Sequence, residues 1–175
     1  RADIAATGKQ FILAAGRPEL LDRVQPLLDV LGQRTWYLGP RPEQANVAKL
    51  IMNFLIASAI ESMGEAAALA AGHGIARESL LEVVLSTLFS SPIYETYGKL
   101  IAQEQYEPAI FKLSLGLKDM RLLLEAADAV NVPLPFASVL KDNHLDSLAH
   151  GQGHLDWAAL ANVAARRAGQ KTSES

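Results

Sequence analysis

The stretch "ANVAKLIMNFLIASAIESMGEAAALAAG", residues 45–72, constrains the fold more than any other part of the chain. After Pro42 no proline interrupts it, and Gly64 is the only glycine before the closing Gly72. Nothing therefore breaks a helix of roughly 45 Å, at about 1.5 Å per residue. Such a rod is too long to be covered by one short partner. Between Val47 and Ile60 the only polar residues are Lys49, Asn53 and Ser58. Burying an unpaired charge in so apolar a run is costly, so something must compensate Lys49.

On a helix, Asn46, Lys49 and Asn53 fall at i, i+3 and i+7 and form one polar stripe, continued by Ala57 and Ile60. The stripe is polar at its start and closes over into core. A partly desolvated lysine there is suited to give or take a proton near neutral pH. Asn53 beside it can hydrogen-bond a substrate hydroxyl, carbonyl or carboxylate. The spacing fits a plainer arrangement equally well, in which Lys49 reaches solvent along its stem and Asn53 caps a buried backbone group.

The residues before this helix read differently. "KQFILAAG" (9–16) is a short apolar run ending in glycine, "RPELLDRVQPLLDVLG" (17–32) has helical spacing, and "RTWYLG" (34–39) is strand-like. Strand, helix and strand at this spacing predict a βαβ unit with parallel strands. Two strands alone are marginal, and position 1 is Arg, so the expectation is an α/β domain that begins upstream of this chain. From Pro42 onward the patterns are all helical: 42–72, 77–89, 92–104, 115–130, 135–149 and 155–168, with breaks at "NVPLP" (131–135) and "GQG" (151–153). Ser91-Pro92 and Ser114 are expected helix starts. The chain is thus expected to be mainly α, with residues 1–39 closing an α/β domain, 40–168 forming a helical domain, and a disordered tail over 169–175.

Composition narrows the class of partner. Half of the 175 residues are hydrophobic and 20% are charged, enough for a good core. A net charge of −3 and a pI near 5.8 give no electrostatic reason to expect nucleic acid or an anionic membrane. With no cysteine, disulfides and thiolate metal sites are excluded. The richest apolar run, about 14 residues containing Lys49, is read as too short to span a bilayer, and no signal peptide is visible.

A second polar constellation is "FKLSLGLKDMRLLLEAA", residues 111–127. Lys118 and Asp119 sit one turn inside the helix expected from Ser114, an ordinary place for an aspartate and a less favoured one for a lysine. Ser90, Ser91, Tyr94 and Tyr97 surround another helix start, where pocket lining and core packing explain them equally. His144, His150 and His154 make an H-x5-H-x3-H pattern without an accompanying carboxylate, so no metal site is expected. No G-x-G-x-x-G phosphate loop is present.

Taken together, "ANVAKLIMNFLIASAIESMGEAAALAAGHGI", and some seventy residues later "LGLKDMRLLLEAA", resemble the β-hydroxyacid dehydrogenases. That family includes 3-hydroxyisobutyrate dehydrogenase, the glyoxylate/succinic semialdehyde reductases and, more distantly, 6-phosphogluconate dehydrogenase and imine reductases. The resemblance covers roughly residues 8–167 and implies an N-terminal Rossmann domain binding NAD or NADP, whose last strands are residues 1–39. It further implies an all-α domain that closes the active site and forms the dimer. Within its K-x-x-x-N motif, Lys49 matches the catalytic general acid/base and Asn53 the substrate-holding asparagine. Lys118 and Asp119 match the later K-D motif beside the cofactor. Glu43 and Ala45 stand where the family's motif has glycines, so the approach to the helix differs. Lys49 itself favours a hydroxy acid or aldehyde over an imine.

The resemblance therefore implies an NAD(P)-dependent oxidoreductase of small hydroxy acids or short aldehydes, cytoplasmic and homodimeric, with this chain alone inactive. A non-catalytic relative using the helical domain as a dimerisation scaffold, and a freestanding helical ligand-binding module, are the alternatives.

Overall fold

The computed structural model describes residues 8–172. The chain is mainly helical and begins with a small βαβ unit, as the sequence predicts. The described residues part into two compact units, one ending at Met52 and the other beginning at Asn53. The division falls inside the long helix.

In the first unit, β1 (Gln10–Ala14), α1 (Pro18–Leu31) and β2 (Gly32–Tyr37) follow one another directly, and the strands pair in parallel. Pro18 opens α1 at its first position, where the missing N–H costs nothing. Gly32 begins β2 because no larger residue fits: a Cβ there would stand 2.6 Å from the Gln10 carbonyl oxygen. Leu13 pairs with Trp36 and Ala14 with Tyr37 across the sheet. Phe11 meets Trp36 edge to face at 5.3 Å. None of the α1 side chains is fully buried. An apolar hollow of about 570 Å³ lies between this helix and β1, lined by Ile12, Leu21, Val24 and Leu28 among others.

The long helix α2 runs from Glu43 to Gly72, 30 residues without interruption. By length and composition alone an 18-residue stretch of it could cross a membrane, which corrects the expectation that no segment is long and apolar enough; half of that stretch is buried inside the protein. Its later half belongs to the second unit, where Ala57, Ile60, Met63 and Ala67 are buried. Gly64 is required there by a close approach, since a Cβ would lie 2.5 Å from the Cα of Ala161.

The second unit continues with α3 (Arg77–Ser86), α4 (Pro92–Gln103), α5 (Leu113–Asp128) and α6 (Pro135–Ala149). Proline at the first position sets the start of α4 and α6. α5 begins at Leu113, one residue before the predicted start at Ser114: Lys112 occupies the cap position, and Leu113 N–H donates to the Leu155 carbonyl at 2.9 Å. A tertiary bond thus fixes that end.

The predicted helix 155–168 is broken. It divides into a 3-10 turn (Trp157–Leu160) and a short α7 (Ala161–Arg167). The cause is Asp156. Its side chain accepts from Ala158 N at 3.0 Å, and its other oxygen accepts from the backbone N–H groups of Ile110 and Phe111 at 2.8 and 3.0 Å. That clamp drives Trp157 into the core against Phe111 and Tyr97, with ring centroids at 4.6 and 5.7 Å. The expected tail is anchored where it begins: Gln170 donates to the Ala68 carbonyl at 2.8 Å, and residues 173–175 lie outside the described residues.

Candidate active site

Lys49 and Asn53 stand one helical turn apart on α2, so helical geometry puts both on one face. The desolvation expected for Lys49 is not found: its side chain is exposed. Asn53, by contrast, is half-buried.

Asn53 reaches across to α5. Its amide nitrogen donates to Oδ2 of Asp119 at 2.6 Å. Asp119 is completely buried, although it was expected as an ordinary early-helix aspartate. Lys118 stands beside it, its Nζ 2.7 Å from Oδ1 of Asp119 while its side chain remains 59% exposed. The fold thus brings Asn53, Lys118 and Asp119 together from segments far apart in sequence. Packing explains Asp119: Gly116, Leu117 and Met120 are buried on the same helix, and Asp119 shares their side.

The Gly116 approach is tight. A Cβ at that position would sit 2.5 Å from Nε2 of His144 and 3.3 Å from the Trp157 ring. The glycine lets α5 lie close enough to α6 for Asp119 to be enclosed.

The histidine pattern dissolves in three dimensions. His144 is fully buried, with Nδ1 2.7 Å from the Leu140 carbonyl. His150 and His154 are exposed, each against a local carbonyl. Among the described residues no group of three or more possible metal-ligating side chains converges. Ser91 caps α4 by position but makes no side-chain bond there, and Tyr97 is a core residue.

Two buried groups were not assigned to the core from the sequence. Glu61 on α2 is 3% exposed and accepts from Asn143 Nδ2 at 2.6 Å. Burial pushes its carboxyl up to about 7; the Asn143 bond and Arg167 pull the other way, while Glu65 adds to the rise. His144 is shifted in the opposite sense, burial lowering its pKa and its bond to Leu140 opposing. Only the polar-at-a-core-position pattern of "IASAIESM" (56–63) hinted at Glu61.

A long helix that follows a βαβ unit in sequence, carrying K-x-x-x-N and tied by its asparagine to a buried K-D aspartate, defines a recognisable class of helical domain. The family model described as "NAD-binding of NADP-dependent 3-hydroxyisobutyrate dehydrogenase" matches residues 44–164, and the chain belongs to that family. It is 41% identical over 160 residues to the uncharacterized oxidoreductase YfjR of Bacillus subtilis (strain 168), covering 91% of this chain and 56% of that protein. With glyoxylate/succinic semialdehyde reductase 1 of Arabidopsis thaliana it shares 33% identity over 156 residues, 89% of this chain and 53% of the other. The crystal structure of 3-hydroxyisobutyrate dehydrogenase from Salmonella typhimurium superposes with a TM-score of 0.83 at 26% identity, over 93% of this chain and 57% of that one. The chain spans about half the length of the curated relatives it matches.

Proposed function

We propose that this chain is the catalytic helical part of an NAD(P)-dependent oxidoreductase that interconverts a small hydroxy acid with its carbonyl form, or reduces a short aldehyde. The observation that carries this reading is the pairing of Lys49 and Asn53 on one face of α2, with Asn53 held by the buried Asp119 beside Lys118. The relatives' names point to the same substrates: glyoxylate and succinic semialdehyde for one, 3-hydroxyisobutyrate for the other.

Lys49 is assigned as general acid/base. Its ammonium delivers a proton to the carbonyl oxygen as that carbon is reduced, and takes it back from the hydroxyl in the reverse direction. Asn53 binds and orients the substrate. Lys118 offers an exposed cation on a firmly held stretch of helix, a fit for an anionic part of the dinucleotide, and Asp119 anchors it. When bound, NAD or NADP supplies or accepts the hydride. Residues 1–39 belong in this reading to the cofactor domain, and 40–168 to the substrate and dimerisation domain. The 175 residues alone are not expected to turn over.

The proposed partner besides substrate is a second copy of the chain. Leu55, Leu69 and Val139, on the long helix and α6, are 60%, 66% and 46% exposed and are the kind of side chain such a dimer would cover. A cytoplasmic location goes with the family's chemistry.

NADPH and NADH oxidation by the full-length protein, tested against short aldehydes and 3-oxo acids, decides the reading. Lys49→Ala is expected to cost about 100-fold or more in kcat with cofactor affinity unchanged. Undiminished turnover in that variant would overturn the assignment of Lys49. Light scattering at micromolar concentration checks the dimer, and a monomer would refute it.

A further inference from the structure

We propose that Asp119 is the positioning residue of Asn53, holding its amide by the nitrogen so that the carbonyl oxygen is left to read a hydrogen-bond donor, a hydroxyl, on the substrate. The inference rests on the reading of Asn53 as a substrate-binding residue and adds what that residue recognises.

A carboxylate can only accept hydrogen bonds, so an amide facing it must present its nitrogen. The 2.6 Å contact between Asn53 and Asp119 Oδ2 therefore fixes which end of the amide points away. Without such a partner an asparagine amide rotates freely, and its two ends are nearly equivalent in shape. Asp119 is in turn immobile. It is fully buried on α5, its second oxygen lies 2.7 Å from Lys118 Nζ, and the glycine one turn before it allows the close helix packing that encloses it. One buried carboxylate thus orders two side chains assigned to the site.

The outward group is then an amide oxygen, with one N–H remaining. An acceptor at that point favours a substrate bearing a hydroxyl over one presenting only carboxylate or carbonyl oxygens, which would face it as lone pair against lone pair. A substrate with a second hydroxyl near the reacting carbon is the best match, and the corresponding deoxy compound is the control.

Nitrogen-proton correlation spectra of the chain test the geometry without any turnover. One Asn53 side-chain proton is expected well downfield and slow to exchange with water. Asp119→Ala should return both protons to free-amide values, while Asp119→Asn, whose amide oxygen still accepts, should largely restore the signature. A free-amide spectrum in the unmodified chain, or one unchanged by Asp119→Ala, overturns the proposal.

In the holoenzyme, Asp119→Ala should lose about tenfold or more in kcat/KM, as removal of one charge-assisted hydrogen bond would. The loss should be greater for the hydroxylated substrate than for its deoxy analogue. The double variant Asn53→Ala/Asp119→Ala should be no worse than Asn53→Ala alone. Additive losses, or equal losses on both substrates, would refute the positioning role. If the unmodified holoenzyme reduces nothing, the functional reading fails while the spectra still decide the contact.

Discussion

Asn143 Nδ2 donates to Glu61 Oε1 at 2.6 Å inside the helical unit, joining the long helix to α6, and the other carboxyl oxygen has no partner among the described residues. A carboxyl so placed is most comfortable with its proton on, because the neutral form needs no solvation of charge.

Stability should therefore fall as pH rises from 4.5 to about 7 and level off above. Glu61 titrates from 4.5 in the unfolded chain to about 7 in the folded one. Its contribution is fully present below pH 4.5 and lost by the time pH passes 7. At about 1.4 kcal/mol per pH unit the loss amounts to about 3 kcal/mol as an upper figure. Glu61→Gln keeps the shape and the Asn143 bond. Urea midpoints measured from pH 5 to 8.5 should show a slope in the unmodified chain that flattens in the variant, and parallel profiles would remove Glu61 as the cause.

His144 acts in the other direction. Its folded pKa is lowered below 6.5, so the unfolded chain takes up the proton first on acidification. The stabilisation is present above pH 6.5 and is lost as pH falls below it. His144→Gln should shrink the acid-side loss of stability. Tautomer-sensitive nitrogen shifts followed over pH should show the folded imidazole taking up its proton at a lower pH than in the urea-unfolded chain, and an equal or higher midpoint would contradict the assignment.

Gly116→Ala tests the same contact from the opposite helix. The new methyl would meet His144 Nε2 at 2.5 Å. An overpacked core of this kind costs about 1–3 kcal/mol. The loss should be smaller in a His144→Ala background, where the ring is gone. Equal losses in both backgrounds would show that the histidine is not what Gly116 accommodates.

Gly64→Ala sets two effects against each other. Alanine is favoured over glycine inside a helix by about 1 kcal/mol. The contact with the Ala161 backbone at 2.5 Å opposes it and cannot be relieved by turning a side chain. Net destabilisation of about 1 kcal/mol or more is expected. A raised thermal midpoint would mean that α2 and α7 do not approach as closely as described.

Asp156→Ala should be the most damaging single change. It strips the acceptor from three backbone N–H groups, those of Ile110, Phe111 and Ala158, around a fully enclosed tryptophan. Each buried donor left unsatisfied costs about 1–3 kcal/mol, so a loss of about 3 kcal/mol or more is expected. Asp156→Asn retains one acceptor and should fall between. Tryptophan fluorescence during urea unfolding reports both, and a loss under about 1 kcal/mol would refute the clamp.

The helices were readable because their signals are local. Pro18, Pro92 and Pro135 each mark a first turn, the glycines at 72–74 end the long helix, and apolar residues recur at helical spacing between them. The β1–β2 pairing was readable for a related reason: the helix between two apolar runs forces a parallel crossover. Where Asp156 commits its side chain to residues 45 and 46 positions away, the local pattern failed and the predicted last helix divided.

The sequence by itself determined that the chain is mainly helical around one long rod, and that Lys49 and Asn53 share a face of it. These are consequences of backbone geometry over a few turns. Tertiary structure alone decided that Lys49 is exposed, that Asp119 is buried under Asn53, and that Glu61 and His144 lie in the core. The fate of a polar side chain depends on whether a partner arrives from elsewhere. Asp119 comes to Asn53 across 66 residues and Asn143 to Glu61 across 82, distances over which composition and periodicity carry no information.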